Sequence, residues 1–158
     1  MRKTALAGIA LALITVACQS LENTRSEMPL RELFASNQCA VTEAKLLPIE
    51  DSTDASRLMN THRIGVQPPR LNIDSGNERM LLVAAGRKPS AGYRLQLTKA
   101  GAELRDRVLY LPVMLSAPDD GYQAAVITSP CLLLAVQRGS YRRIIVESLG
   151  LELELPEE

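Results

Sequence analysis

Residues 80–85 read MLLVAA and residues 131–136 read CLLLAV. Neither run contains a charged side chain, and each has the length of a strand rather than of a helix. Short, continuous apolar runs are typical of strands that are buried on both faces of a sheet. Residues 93–98, YRLQLT, instead alternate apolar and polar side chains, as a strand with one wet face does. These three stretches predict a mainly β fold.

Further runs extend the β pattern toward the C-terminus. The first of these runs is residues 107–115. Pro112 interrupts it and indicates a sheet edge or a bulge, because proline cannot donate a ladder hydrogen bond. The PDDG sequence at 118–121 predicts a tight turn. We therefore expect residues 71–155 to form a small antiparallel β-sandwich or barrel-like domain. The additional predicted strands are residues 107–115, 141–147 and 149–155.

The segment before this domain has a different pattern. In PLRELFAS at 29–36, the apolar residues Leu30, Leu33 and Phe34 are spaced as on one face of a helix, and proline is acceptable in a first helical turn. The spacing predicts a short amphipathic helix over 29–36.

A strand is predicted next, over residues 41–49. The DSTD sequence at 51–54 then offers several N-cap side chains for a second short helix that ends near Met59. We expect residues 29–70 to be an accessory segment with one or two short helices beside the β domain, which makes the chain mainly β within the α+β class.

The N-terminus has the pattern of an export signal. Arg2 and Lys3 precede an uncharged run over 4–17, which is shorter than the roughly 20 residues that a helix needs to span a bilayer. The run leads into TVAC at 15–18, and this sequence resembles a bacterial lipobox, in which the thiol of the cysteine, here Cys18, is alkylated by a diacylglycerol. The alternative is an ordinary secretory signal cleaved nearby. We expect residues 1–17 to be the signal peptide.

Lipidation at Cys18 would make that residue the mature N-terminus and anchor it to a membrane, because several acyl chains hold a protein durably. The polar residues 19–28 lack periodicity, and with Cys18 they are predicted to be a tether over 18–28. Gln19 follows the cysteine, and the absence of Asp there resembles lipoproteins sorted to the outer membrane. We expect the protein to face the periplasm from the outer membrane, with the inner membrane or secretion as alternatives.

An exported chain would fold in an oxidising compartment, where disulfides persist. With Cys18 acylated, Cys39 and Cys131 are the two cysteines that remain, so a disulfide between them is one interpretation. The other is a pair of buried free thiols, because free cysteine packs as a small hydrophobic residue.

Composition argues against several functions. The 18 basic and 18 acidic residues balance, so no general field attracts nucleic acid, and five aromatic residues without tryptophan argue against a stacking platform for bases or sugars. The only histidine, His62, lies at the predicted end of a helix, where a lone histidine usually favours the helix dipole. No metal site, cofactor or catalytic group is expected, and an enzyme built on His62 is the least favoured class.

The loop GRKPSAGY at 86–93 is the strongest candidate site. It connects two predicted strands but lacks the spacing of a phosphate-binding P-loop. One interpretation is a glycine-flanked connection that only joins strands. The other is an exposed loop that presents two cations and a hydroxyl to a partner from a stiff scaffold. The predicted partner-binding residues are Arg87, Lys88, Pro89, Ser90, Gly92 and Tyr93.

Residues 80–97, then 127–132 (ITSPCL) and 138–147 (RGSYRRIIVE), resemble the PrcB-type domain, a family named for a protease complex subunit. The resemblance implies a non-enzymatic accessory subunit that binds a protease or another envelope protein. Departures from the pattern occur at Ala91 and Cys131, where the family often has glycine and an aromatic residue. The G-x-x-P-[ST]-x-G-Y motif is matched by Gly86, Pro89, Ser90, Gly92 and Tyr93, and a T-x-P motif by Thr128 and Pro130.

Two other functions stay open. The sequence PSAGY at 89–93 is similar to a loop of chagasin-like cysteine protease inhibitors, although their Arg-Pro-Trp loop is missing because the chain has no tryptophan. A structural envelope lipoprotein without any connection to a protease is the other alternative.

Overall fold

A computed structural model describes residues 25–60, 71–119 and 124–156. The prediction of a mainly β fold is confirmed, with a nearly closed, barrel-like sheet and a short helix. In chain order the elements are β1 (Ser26–Ser36), β2 (Ala44–Ile49), α1 (Ser52–Leu58), β3 (Glu78–Ala85), β4 (Arg94–Leu97), β5 (Gly101–Arg105), β6 (Val108–Tyr110), β7 (Val113–Ser116), β8 (Cys131–Gln137), β9 (Arg143–Val146), a 3₁₀ turn (Glu147–Leu149) and β10 (Leu151–Glu154).

Eight of these strands form one sheet in the order β10-β9-β6-β5-β1-β8-β3-β2. All neighbours pair antiparallel except β6 and β9, which are parallel. The two edge strands, β10 and β2, approach each other, so the sheet curls almost into a closed barrel. The remaining strands, β4 and β7, pair with each other as a separate ribbon.

Strands β3 and β8 are buried on both faces, which explains why their sequences are continuously apolar. One face lines the barrel interior, called here the inner core. The opposite face is covered by α1 and forms a second cluster, called here the outer core. The inner core is centred on Leu81, Val83, Leu109, Leu132, Leu134, Val136, Ile144 and Val146. The outer core contains Cys39, Ile49, Ala55, Met59, Met80, Leu82, Ala84, Cys131 and Leu133.

The helix predicted over 29–36 is wrong, because this segment lies in β1 between β5 and β8. The register with β8 shifts between Glu32 and Phe34, so Leu33 is the extra residue of a bulge. Leu30 therefore faces the inner core, whereas Leu33 and Phe34 pack against the outer core. The bulge produces the helix-like spacing of apolar residues within a strand.

Strand β1 also begins within the predicted tether, because residues 26–28 pair with β5. Residue 70 is the predicted end of the accessory segment, and the sheet includes strands from both sides of it. Strands β1 and β2 precede residue 70, and the other six follow it.

The second predicted helix is confirmed as α1. The Asp51 carboxylate caps it by accepting hydrogen bonds from the backbone N–H groups of Thr53 and Asp54, at 2.7 and 2.8 Å. Within the described ranges, no helix is both long enough and apolar enough to cross a membrane.

The predicted strand over 107–115 is divided at Pro112 into β6 and β7, which belong to different sheets. Proline has no N–H for a ladder hydrogen bond, so the chain leaves the barrel at this point. The other predicted strands, 80–85, 93–98, 131–136, 141–147 and 149–155, correspond to β3, β4, β8, β9 and β10. The predicted turn at 118–121 extends beyond the described residues.

A cross-strand ion pair spans β8 on the barrel surface. The Arg31 guanidinium donates to both carboxylate oxygens of Glu78, with N–O distances of 2.9 and 2.7 Å. Hydrogen bonding from Arg31 lowers the pKa of Glu78 below its ordinary value of 4.5, although burial opposes the shift. The same hydrogen bond raises the pKa of Arg31.

A lowered carboxyl pKa adds stability that is present above the pKa of the unfolded chain and is lost as the pH falls through the pKa of the folded state. We expect E78Q to lower the free energy of unfolding at pH 7 by about 0.5 to 1 kcal/mol, because both side chains are partly exposed. This difference from wild type should disappear between about pH 5 and pH 3. Urea unfolding across that range tests the expectation, and a difference independent of pH would contradict it.

Candidate functional site

The loop at residues 86–93 leaves β3 and passes close to the chain that enters β2. Gly86 has a φ of 73°, in the left-handed region that disfavours side chains. A Cβ atom at this position would lie 2.8 Å from the backbone nitrogen of Ala44. The Arg87 N–H then donates to the carbonyl of Thr42 at 3.0 Å. Glycine is therefore required at the start of the loop by both conformation and space.

The loop is paired with a second one, at residues 124–130. The backbones of Lys88 and Thr128 form an antiparallel bridge, with N–O distances of 2.8 and 3.0 Å. The Thr128 hydroxyl donates to the Ser90 carbonyl at 3.1 Å, and the Ala91 N–H donates to the Ala124 carbonyl at 3.1 Å. These two segments, called here the paired loops, form one continuous surface.

The second loop is fixed on its other side by the chain that follows β1. The Ser129 N–H donates to the Asn37 carbonyl at 2.8 Å, and the Ser129 carbonyl accepts from the Cys39 N–H at 3.0 Å. Cys39 and Cys131 are joined in a disulfide, and their Cα atoms are 6.1 Å apart, within the usual range. The disulfide lies in the outer core, so the base of the paired loops is attached directly to the hydrophobic core.

The paired loops expose cationic and apolar side chains together. Arg87 and Pro89 are exposed, and Lys88 is half-buried. Across the bridge, Val126 and Ile127 are 50% and 64% exposed, although both are large and apolar. Cationic groups beside exposed apolar side chains are suited to contact with another protein.

An open groove of about 410 Å³ adjoins the paired loops between β1 and β4. Its lining includes the charged side chains Glu32 and Arg94, which lie on β1 and β4 respectively. Gly92 contributes to the same lining, so the groove continues the surface of the first loop.

Residues 80–137 match the family model described as PrcB C-terminal. This segment is a PrcB-type C-terminal domain. The matched residues extend from β3 to the end of β8 and include both paired loops. No curated protein and no solved structure matches the chain.

The PrcB-type segment does not complete the barrel alone. Strand β1 pairs with β8 of the matched segment, and β2 pairs with β3, but both strands precede residue 80. The match is consistent with an accessory role in a protease complex.

All six predicted partner-binding residues lie in the first loop of the PrcB-type domain. Ser90, Gly92 and Tyr93 are half-buried, like Lys88. The structure also brings the T-x-P motif against this loop, through Thr128. The partner-binding residues predicted from the sequence did not include Val126 and Ile127. The sequence feature that could have identified them is the pair of adjacent large apolar residues directly before Thr128.

Two predicted positions, Cys18 and His62, lie outside the described residues. In the three described ranges, no group of three or more His, Cys, Asp or Glu side chains is placed to hold a metal ion. The arrangement of the paired loops supports recognition through a surface.

Proposed function

We propose that this protein is a lipid-anchored accessory subunit of a cell-envelope protease complex and binds its partner through the paired loops. The observation that carries the proposal is the backbone bridge between Lys88 and Thr128, which places the first loop beside the exposed side chains of Val126 and Ile127. A loop held by backbone hydrogen bonds loses little conformational freedom on binding, and this favours its use as an interface.

The side chains of this surface suggest the chemistry of the partner. Arg87 and Lys88 would face carboxylates, which guide association and set orientation. Val126 and Ile127 would be buried in the centre of the contact, where removal of apolar surface from water contributes most of the affinity. The expected partner surface is therefore apolar with an acidic border.

Anchoring at Cys18 is a further part of the proposal. Acyl chains on this residue would tether the barrel at a membrane surface, with β1 beginning a few residues later at Ser26. A location on the periplasmic face of the outer membrane would place the paired loops among envelope proteins, and mass spectrometry of the mature chain would detect acylation.

Partner capture from detergent-solubilised membranes tests the proposal. We expect the wild-type protein to retain a peptidase, identified by mass spectrometry. R87A/K88A and V126S/I127S should each reduce its recovery by about tenfold or more, since residues central to an interface contribute the most. The Lys88 side chain can be removed without breaking the bridge, because the bridge uses backbone atoms.

The matched control is K99A, which removes an exposed lysine from the turn between β4 and β5. Its peptidase recovery should equal that of wild type. Equal recovery with R87A/K88A and V126S/I127S would reject the paired loops as the interface. A reproducible partner set without any peptidase would instead support the alternative of an envelope lipoprotein without a protease connection.

A further inference from the structure

The groove between β1 and β4 originates at a fork in the sheet. Strands β4 and β5 follow each other along one side of a long hairpin, and β6 and β7 form its other side. The β5 half of this hairpin pairs with β1 over residues 26–29, whereas the β4 half does not pair with β1. Continuing the register of β1 and β5 would place Arg94 opposite Ser36. Strand β4 instead diverges from β1, and the groove lies between them.

The divergence of β4 is fixed by packing. Leu95 of β4 and Val113 of β7 are buried in the inner core, and Leu97 and Leu115 pack against it. The ribbon of β4 and β7 therefore lies over the barrel interior. Closing the groove by pairing β4 with β1 would disturb this packing, so the open groove is part of the folded structure.

Both walls of the groove consist of strand backbone. Residues 35–37 line one wall and residues 94–96 line the other. Successive side chains of a strand point to opposite faces, so a lining made of consecutive residues indicates that the groove runs along a backbone edge. Over residues 30–36, β1 pairs with β8 on one edge, and β4 pairs with β7 on one edge. No described strand pairs with the opposite edges of these two segments, called here the groove edges.

The groove edges offer hydrogen-bonding groups to an added strand. In an antiparallel pair, every second residue bonds to the partner strand, and the residues between them direct their N–H and C=O groups to the other side. On the groove edges, these groups have no backbone partner among the described residues. An unpaired strand edge of this kind is a template for pairing with an extended segment of another chain.

The two walls carry opposite charges. Glu32 lies on the β1 wall and Arg94 on the β4 wall, and both side chains are exposed. Neither forms an ion pair with another described residue, and the described lining of the groove contains no further charged side chain. A segment with a basic side chain beside β1 and an acidic side chain beside β4 would complement both walls.

We propose that the groove binds an extended peptide segment of the partner, which adds as a strand to the groove edge of β1. Main-chain hydrogen bonds would supply affinity, and the charges of Glu32 and Arg94 would select the segment. An extended chain advances about 3.3 Å per residue, so roughly five residues would cover residues 32–36. Gly92 belongs both to the first loop and to the groove lining, so a partner bound at the paired loops can continue into the groove. The identity of the partner rests on the proposed function, whereas the binding of an extended peptide does not.

Selection from a phage-displayed library of random linear heptapeptides tests the groove. The target is the full chain with Cys18→Ser, so that it is not acylated, purified with its disulfide oxidised. The selected peptide is then synthesised with a fluorophore, and its affinity is measured by fluorescence polarisation. We expect A35W to weaken binding by about tenfold or more. Ala35 follows Phe34, which packs against the outer core, so its side chain points to the opposite face of β1, where a tryptophan would fill the groove.

The matched control is A44W, which replaces another exposed alanine of the same sheet, on β2. Strands β8 and β3 separate β2 from β1, so peptide affinity should equal that of the parent. E32K should weaken binding, because it would place a cation beside the basic side chain of the peptide.

Backbone pairing is tested on the unaltered protein with peptides that are N-methylated at every second residue, in both possible frames. Methylation removes N–H donors and leaves the side chains in place, so at least one frame should lose about tenfold or more in affinity. Failure to select a peptide would overturn the proposal. Equal binding by A35W, E32K and the parent, or full affinity of both methylated peptides, would also overturn it.

Recovery of a peptidase from membranes is a separate measurement. Peptide binding in the groove without peptidase recovery would support this inference and reject the proposed function. Peptidase recovery without peptide binding would support the proposed function and reject this inference.

Discussion

Replacing both cysteines of the disulfide in C39A/C131A is expected to lower the free energy of unfolding by about 2 to 5 kcal/mol. The bond joins residues separated by 92 positions, so its removal releases a long loop in the unfolded chain. The folded state also loses packing in the outer core, because the Met59 sulfur lies 3.3 Å from Sγ of Cys131 and 3.8 Å from Sγ of Cys39. Both effects favour the unfolded state.

Urea unfolding with and without dithiothreitol provides the measurement. Reduction should destabilise the wild-type protein and leave C39A/C131A unaffected, which separates loss of the bond from other effects of the reductant. Amide exchange should accelerate first at Cys39 and Ser129, whose backbone groups are joined beside the disulfide. Equal stability of oxidised and reduced wild type would contradict the prediction.

Local patterns were sufficient to predict the elements that are buried uniformly or capped clearly. Strands β3 and β8 are apolar on both faces, so their apolar runs show neither a helical nor an alternating period. Such short continuous runs predict buried strands directly. The N-cap of α1 lies one residue before the helix, and its carboxylate makes the expected bonds. For these elements, the sequence within a few residues is enough.

The failure at β1 has a specific cause. A bulge inserts Leu33 into the strand and turns Phe34 toward the outer core, which imitates the spacing of a helix. What decides the conformation is the pairing with β5 and β8, and those strands lie far along the chain. Local periodicity contains no information about such distant partners.

The candidate site was only half predictable for the same reason. The first loop carries its own signal in glycine, proline and two cations, but its contact with Thr128 joins residues 40 positions apart. Val126 and Ile127 become part of the surface only because that contact exists. The residues that would recognise a partner are thus defined by tertiary structure as well as by motif.

The hydrogen bonds described between the paired loops all end on backbone carbonyls. The geometry therefore depends on the backbone and on the Thr128 hydroxyl, whereas the side chains of Arg87, Lys88, Val126 and Ile127 are not needed to maintain it. The same hydrogen-bonded backbone can present different side chains. Affinity for a partner and stability of the loops should therefore respond to different substitutions.

G86A should disturb the backbone of the paired loops without changing those side chains. The expected loss in the free energy of unfolding is about 2 to 4 kcal/mol. An alanine would have to adopt the φ of 73° and would place its Cβ 2.8 Å from the nitrogen of Ala44. Backbone atoms cannot rotate away as a flexible side chain can, so the first loop must move away from β2. That movement should break the bond from Arg87 to Thr42 and weaken partner capture without changing any side chain that faces the partner.

G150A is the matched control, because Gly150 has a similar φ of 62° but open space where a Cβ would lie. Its cost should be confined to the conformational strain, about 1 kcal/mol, and its partner capture should equal that of wild type. The difference between the two variants in chemical denaturation measures the close approach of the first loop to β2. If G86A and G150A lower the free energy of unfolding equally, the contact with Ala44 does not constrain the first loop. That result would contradict the proposal that a rigid backbone of the paired loops supports partner binding.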